Sequence, residues 1–193
     1  NLINVGVTSA DVIMLGRVGE NALSGVSLAN QVYFILSLIY FGLTSGAAVL
    51  TAQYWGKQDV RTIERILGIS LRVGIYAGLL FTVVAWLFPV PVMKIFTNEP
   101  TVIAEGVKYL KIVSCSYVLS GITCVYLSIM RSVERVIVAT VVYLISLIVN
   151  VVINAILIFG LLGAPQLGSQ GAAVGTLVAR CTEILLVIIY ARK

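Results

Sequence analysis

The sequence predicts an all-α membrane protein of six transmembrane helices, the first of them truncated. Of its 193 residues 60% are hydrophobic and 11% charged, against about 25% charged in an average soluble domain. The mean hydropathy is +1.06. The apolar residues fall into six runs separated by turns rich in glycine, proline and charge, and most runs reach the roughly 20 residues that a bilayer crossing needs. The net charge of +5 does not indicate a nucleic-acid surface: the basic residues stand singly or in small groups at run ends, with no basic patch interleaved with aromatics.

The first run, 1–15, is closed by Gly16-Arg17-Val18-Gly19-Glu20-Asn21. It begins at Asn1 and is short for a span, so the sequence is expected to be a piece of a longer protein whose first helix is cut. Asp11 sits in this run about five residues, or roughly 7 Å of helix, before the turn. A carboxylate at that depth either faces a protein interior or cavity, which makes it a functional candidate, or reaches back to the interface. The second run, 22–53, carries no charge over 32 residues and is expected to tilt or to extend past the membrane. Its Gly42 and Gly46 have the spacing that lets a neighbouring helix approach closely.

A charged connection from Trp55 to Arg65 leads to the third run, 66–88, where Arg72 is near enough to the start to snorkel and Pro89 and Pro91 mark the end. The fourth helix is expected over about 109–130, beyond the turn at Thr97-Asn98-Glu99-Pro100. Its Ser114, Ser116, Ser120, Thr123 and Ser128 can bond back to their own helix or across to another. The fifth run, 136–159, has no charge, and its second half is interrupted by Asn150 and Asn154, which at four residues apart share one face. The sixth, 171–191, follows a loop from Gly160 to Gln170 and carries Arg180 and Glu183, a pair at i,i+3 that can neutralise itself in the membrane.

Six crossings place the loops alternately on two sides. Seven Lys or Arg lie in the loops at 57–65 and 131–135 and in the tail at 192–193, against Arg17, Lys94, Lys108 and Lys111 opposite. The positive-inside rule puts the first group in the cytoplasm. Asp11, Asn154 and Thr176 then share a layer about 7 to 9 Å inside the outer boundary, with Asn150 one turn deeper. If their helices touch, these oxygen donors with one negative charge suit a weakly held alkali cation or a proton on Asp11. Otherwise the asparagines merely bond neighbouring helices.

Several function classes are excluded. There is no histidine, which removes imidazole metal sites, triads and proton relays, and no paired-carboxylate or nucleophile motif points to an enzyme. Cys115, Cys124 and Cys181, odd in number and set in apolar runs, read as core residues rather than a disulfide framework.

Asp11-Val12-Ile13-Met14-Leu15-Gly16-Arg17-Val18-Gly19, Leu28-Ala29-Asn30-Gln31, Gly42-Leu43-Thr44-Ser45-Gly46, Ala52-Gln53-Tyr54-Trp55-Gly56, residues 150–160 and residues 168–176 closely resemble the MATE multidrug and toxin extrusion transporters. The similarity runs end to end over the N-terminal six-helix lobe of a family built from two lobes and twelve helices. It implies an integral, multi-pass protein of the bacterial plasma membrane, surrounded by lipid, whose partner is the C-terminal lobe of the same full-length protein. It also implies export of small organic, often cationic, compounds by alternating access, driven by Na⁺ or H⁺ with no other cofactor. Carried over, Asp11 matches the aspartate implicated in cation coupling and Asn150 and Thr176 match its polar partners. Asn154 stands where some members have a second aspartate. The candidate Na⁺ site is thus Asp11, Asn150, Asn154 and Thr176, and Asn4, Asn30 and Tyr33 are candidate cavity residues, with plain packing the other reading of Tyr33. A lipid-linked-oligosaccharide flippase of the wider superfamily is the alternative; it would want a more basic cavity, and Arg180 is the one buried cation here. A structural subunit would leave Asp11 dispensable.

Overall fold

The computed structural model describes residues 13–17, 19–160 and 166–192. Asp11 and Asn4 lie outside them. Residues 13–16 are helical, and seven further helices follow among the described residues.

The second run lies in α1, Glu20–Gly56, whose 37 residues extend ~55 Å, far more than the hydrocarbon layer needs. Only residues 57–59 separate it from α2, Val60–Leu87, so Arg61, Glu64 and Arg65 belong to the opening turns of that helix rather than to a connection. Gln58 makes the turn with a left-handed φ of 56°. Asp59 caps α2, accepting from Thr62 N at 3.1 Å and from Thr62 Oγ1 at 2.6 Å, and these bonds hold its carboxyl below the usual aspartate range. Pro89 ends α2 and opens the short α3, Pro89–Lys94, where a missing N–H costs nothing.

The fourth run, expected as one helix over about 109–130, is two: α4, Pro100–Val113, and α5, Ser116–Ser132, bent by 53° at the break. The hydroxyls explain the bend. Ser114 and Ser116 turn back onto the Lys111 and Val113 carbonyls, and Cys115 N bonds Ile112 O in a tightened turn. α2 adds bonds across the break: Thr82 donates at 2.8 Å to Ser114 O, which also accepts from Tyr117 N, and Trp86 donates to Lys111 O at 3.0 Å. α6, Val136–Phe159, ends on Gly160 in the left-handed conformation, and α7, Ser169–Ala191, completes the described chain.

The most extensive packing is α6 on α7, followed by α2 on α5 and α1 on α4. Tyr40 of α1 wedges between α2 and α5 and donates to Tyr117 O at 2.9 Å. The space exists because positions 78 and 121 are glycine: a Cβ at either would come within 2.7 Å of the Tyr40 hydroxyl. Gly42 and Gly46, in contrast, have nothing within 4 Å of a built Cβ and make no close approach among the described residues.

α1, α2, α6 and α7 are each long and apolar enough to cross a membrane, and the bent pair α4–α5 makes a fifth candidate. Large apolar side chains such as Phe41, Tyr76, Leu80, Trp86 and Ile137 are exposed, the surface that lipid covers in a multi-pass protein. At one end of the bundle the starts of α1, α4 and α7 meet, and Ser169 donates to Glu105, which also pairs with Lys108. At the other end Arg135 donates to the Tyr190 hydroxyl.

Candidate functional site

α6 is apolar along most of its length, and its buried face carries Ser146, Asn150 and Asn154 at four-residue spacing. This polar stripe faces α7. Asn154 Nδ2 donates to Asn150 Oδ1 at 3.2 Å, and Asn150 Nδ2 lies 3.5 Å from Thr176 Oγ1 across the helix pair. Asn154 is fully buried and Asn150 nearly so. The structure therefore brings together Asn150, Asn154 and Thr176 of the four predicted cation ligands; the fourth, Asp11, is outside the described residues.

Two glycines permit the contact. A Cβ at Gly171 would lie 2.8 Å from the Leu157 carbonyl, and one at Gly175 would lie 2.8 Å from the Asn154 amide carbon and 3.2 Å from its backbone nitrogen. Their four-residue spacing is the signal that sequence reading attached to Gly42 and Gly46 instead.

One turn deeper lies the second polar group. Arg180 Nη1 donates to both oxygens of Glu183, at 2.8 and 3.0 Å. Glu183 is 1% exposed and also accepts from Ser146 Oγ at 2.7 Å and Thr123 Oγ1 at 3.2 Å, so three helices converge on one carboxylate. Sequence reading found the ion pair and named Thr123 among the hydroxyls able to bond back or across, but it missed Ser146. Ser146 was within reach, because it precedes Asn150 by one turn on the same face.

The predicted cavity residues have defined surroundings. Asn30 is exposed, and its Oδ1 accepts from the Tyr109 hydroxyl at 3.1 Å. Tyr33 is half-buried and stacks on Tyr117 with ring centroids 5.7 Å apart, so it packs as well as lining the surface. A cavity of ≈ 880 Å³ opens elsewhere, at the end where α1, α4 and α7 begin, lined by Glu20, Thr101, Glu105, Lys108, Ser169 and Gln170 among others.

Among the described residues no three His, Cys, Asp or Glu side chains come together as a metal site. The chemistry of the outer cluster is that of neutral oxygen and amide groups, which can help coordinate a monovalent cation but need a charge from elsewhere to hold it. Asp11 is the residue expected to supply that charge.

The family model described as MatE matches residues 1–156. The chain belongs to the MatE family. It is 30% identical over its whole length to a probable multidrug resistance protein NorM of Rhizobium meliloti and 26% identical to one of Thermotoga maritima, spanning 41% and 42% of their lengths. Its fold superimposes with a TM-score of 0.88 on the outward-facing conformation of a multidrug resistance MATE family transporter of the MOP superfamily, at 18% identity, covering 98% of this chain and 41% of that one. A MATE structure in the bent conformation gives 0.87 at 19% identity, covering 97% and 41%. As a MatE lobe, the chain is an integral, multi-pass α-helical membrane protein that spans about two fifths of the relatives it matches.

Proposed function

We propose that this lobe belongs to a secondary multidrug efflux transporter that exports small organic, often cationic, compounds from bacterial cells across the plasma membrane. Inward flow of Na⁺ or H⁺ through Asp11, Asn150, Asn154 and Thr176 drives the export, and the C-terminal lobe of the same protein supplies the facing half of the pathway. The observation that carries the reading is the Asn154–Asn150–Thr176 chain of contacts between α6 and α7, a buried polar cluster in helices otherwise suited to lipid. The multidrug resistance names of the relatives support the substrate class. Each elementary charge carried inward gains about 2.3 kcal/mol per 100 mV of potential, enough to drive an uphill export.

The test is efflux of a fluorescent organic cation from cells carrying the full-length protein, wild type against Asp11→Asn, with Na⁺ and pH varied separately. Loss of gradient-driven efflux by about tenfold or more is expected, since a neutral amide cannot exchange a cation or proton. Unchanged efflux refutes the coupling role. Asn154→Ala is expected to shift the Na⁺ or pH dependence while Ser128→Ala, away from the cluster, leaves it unaltered.

A further inference from the structure

The Arg180–Glu183 pair is satisfied on one side only. The Glu183 carboxylate is fully engaged by Arg180, Ser146 and Thr123. The guanidinium has five N–H groups, and only Nη1 is used. Nε and Nη2 have no hydrogen-bond partner among the described residues, yet they are absent from the buried polar atoms that lack one, so they reach the surface of the lobe. About a quarter of the side chain, 24%, is exposed.

A guanidinium edge at mid-span depth is strongly disfavoured against hydrocarbon. Its surroundings are polar and aromatic instead. Thr176 stands one turn outward on the same face of α7, and the half-buried Tyr33 and Tyr143 lie within electrostatic range of Arg180. We propose that Arg180 is an anion subsite in the transport cavity, whose free edge takes the carboxylate, or another planar oxyanion, of an exported aromatic compound. The planar fork presents paired donors of the kind that carboxylates accept. Glu183 is the permanent counter-ion of Arg180, so the empty pair is neutral and a bound carboxylate adds a net negative charge, which keeps the anion weakly held and easily released. Zwitterionic and anionic aromatics are then substrates alongside cations. This deepens the efflux reading and rests on it for the cavity.

Two rhodamine cations separate the effect, each compared with itself across the variants: rhodamine B carries a free carboxylate, and rhodamine 6G, esterified there and carrying smaller N-alkyl groups, is purely cationic. Binding to the purified full-length protein is followed by fluorescence anisotropy. Arg180→Gln is expected to weaken rhodamine B binding by about tenfold or more, the worth of a charge-assisted pair, and rhodamine 6G binding by less than about twofold, with Arg180→Lys falling between. Because the single change leaves Glu183 buried without its cation, the double variant Arg180→Gln/Glu183→Gln is measured as well and is expected to show the same selective loss, its retained rhodamine 6G binding reporting an intact fold. Equal losses for both dyes make Arg180 a contact to the other lobe and overturn the subsite. Unchanged rhodamine B binding, or a wild-type protein that binds no rhodamine B, also overturns it. If rhodamine B binds through Arg180 but cells export neither dye, the subsite stands and the efflux reading fails.

Discussion

Replacing Gly175 by alanine tests whether the α6–α7 seam is as tight as the geometry requires. The added methyl would sit 2.8 Å from the Asn154 amide carbon and 3.2 Å from the Asn154 backbone nitrogen, with the amide oxygen closer still. Ordinary contacts of these atoms are roughly 3.5 to 4 Å, so the side chain must swing away and the helices must part by a few tenths of an ångström. Swinging away breaks the 3.2 Å bond from Asn154 to Asn150. Overpacking of this kind costs about 1–3 kcal/mol, and losing a side-chain hydrogen bond within the helix about 0.5–1.5 kcal/mol, so the sum is about 1.5–4.5 kcal/mol. The assay is a double-mutant cycle in the full-length protein, unfolding in mixed detergent micelles with Gly175→Ala and Asn154→Ala made singly and together. With Asn154 truncated, the methyl meets mainly backbone, and the cost of Gly175→Ala is expected to fall below about 1.5 kcal/mol. An equal cost in both backgrounds would refute the claim that the glycine exists to seat the amide.

Two further substitutions probe other parts of the lobe. The Tyr117 hydroxyl is buried with no partner among the described residues, so Tyr117→Phe is expected to be neutral or to stabilise by up to about 1 kcal/mol in the same unfolding assay; a loss of that size would show that the hydroxyl is bonded. Asp59 has a lowered pKa in the folded protein because Thr62 bonds its carboxylate, so its contribution is present above the ordinary aspartate range near pH 3.9 and is lost as pH falls through the lower folded value. The melting temperature of Asp59→Ala is therefore expected to lie below that of wild type at pH 6 and to converge with it in acid; a gap that persists at low pH contradicts the cap.

Much of the architecture is legible in the sequence because a bilayer imposes a one-dimensional rule: an uninterrupted apolar run must be a helix that satisfies its own backbone. The pairing of Asn150 with Asn154 follows from their spacing, whereas depth alone set Thr176 level with Asn154, put Asn150 one turn deeper and left open whether the two helices touch. What stays hidden is which hydroxyl bonds across and which bonds back. Ser120 bonds its own helix through the Ser116 carbonyl, whereas Thr123, which has the Leu119 and Ser120 carbonyls in reach, also reaches Glu183 sixty residues away, and nothing in their local sequence separates them. The same ambiguity hides the break before Ser116, where hydroxyl back-bonds compete with the ladder. Glycine spacing misleads for a related reason. Gly42–Gly46 and Gly171–Gly175 have the same pattern, but only the second pair lies on a face turned toward another helix, and facing is a three-dimensional property.

The two polar groups on α6 are parts of one device. Ser146, Asn150 and Asn154 form a single stripe, and each is tied to α7: Ser146 through Glu183, Asn150 through Thr176, Asn154 through its seat on Gly175. Sliding or rotating α7 against α6 would break all three contacts together and drive glycine-width gaps against bulkier neighbours. Among the described residues α2 is tied to its neighbours differently, by the Tyr40 wedge between Gly78 and Gly121 and by bonds from Thr82 and Trp86 to backbone carbonyls near the α4–α5 break. The α6–α7 pair is therefore the most heavily cross-linked pair among the described helices, and in the alternating-access cycle proposed above the two helices are expected to move as a unit.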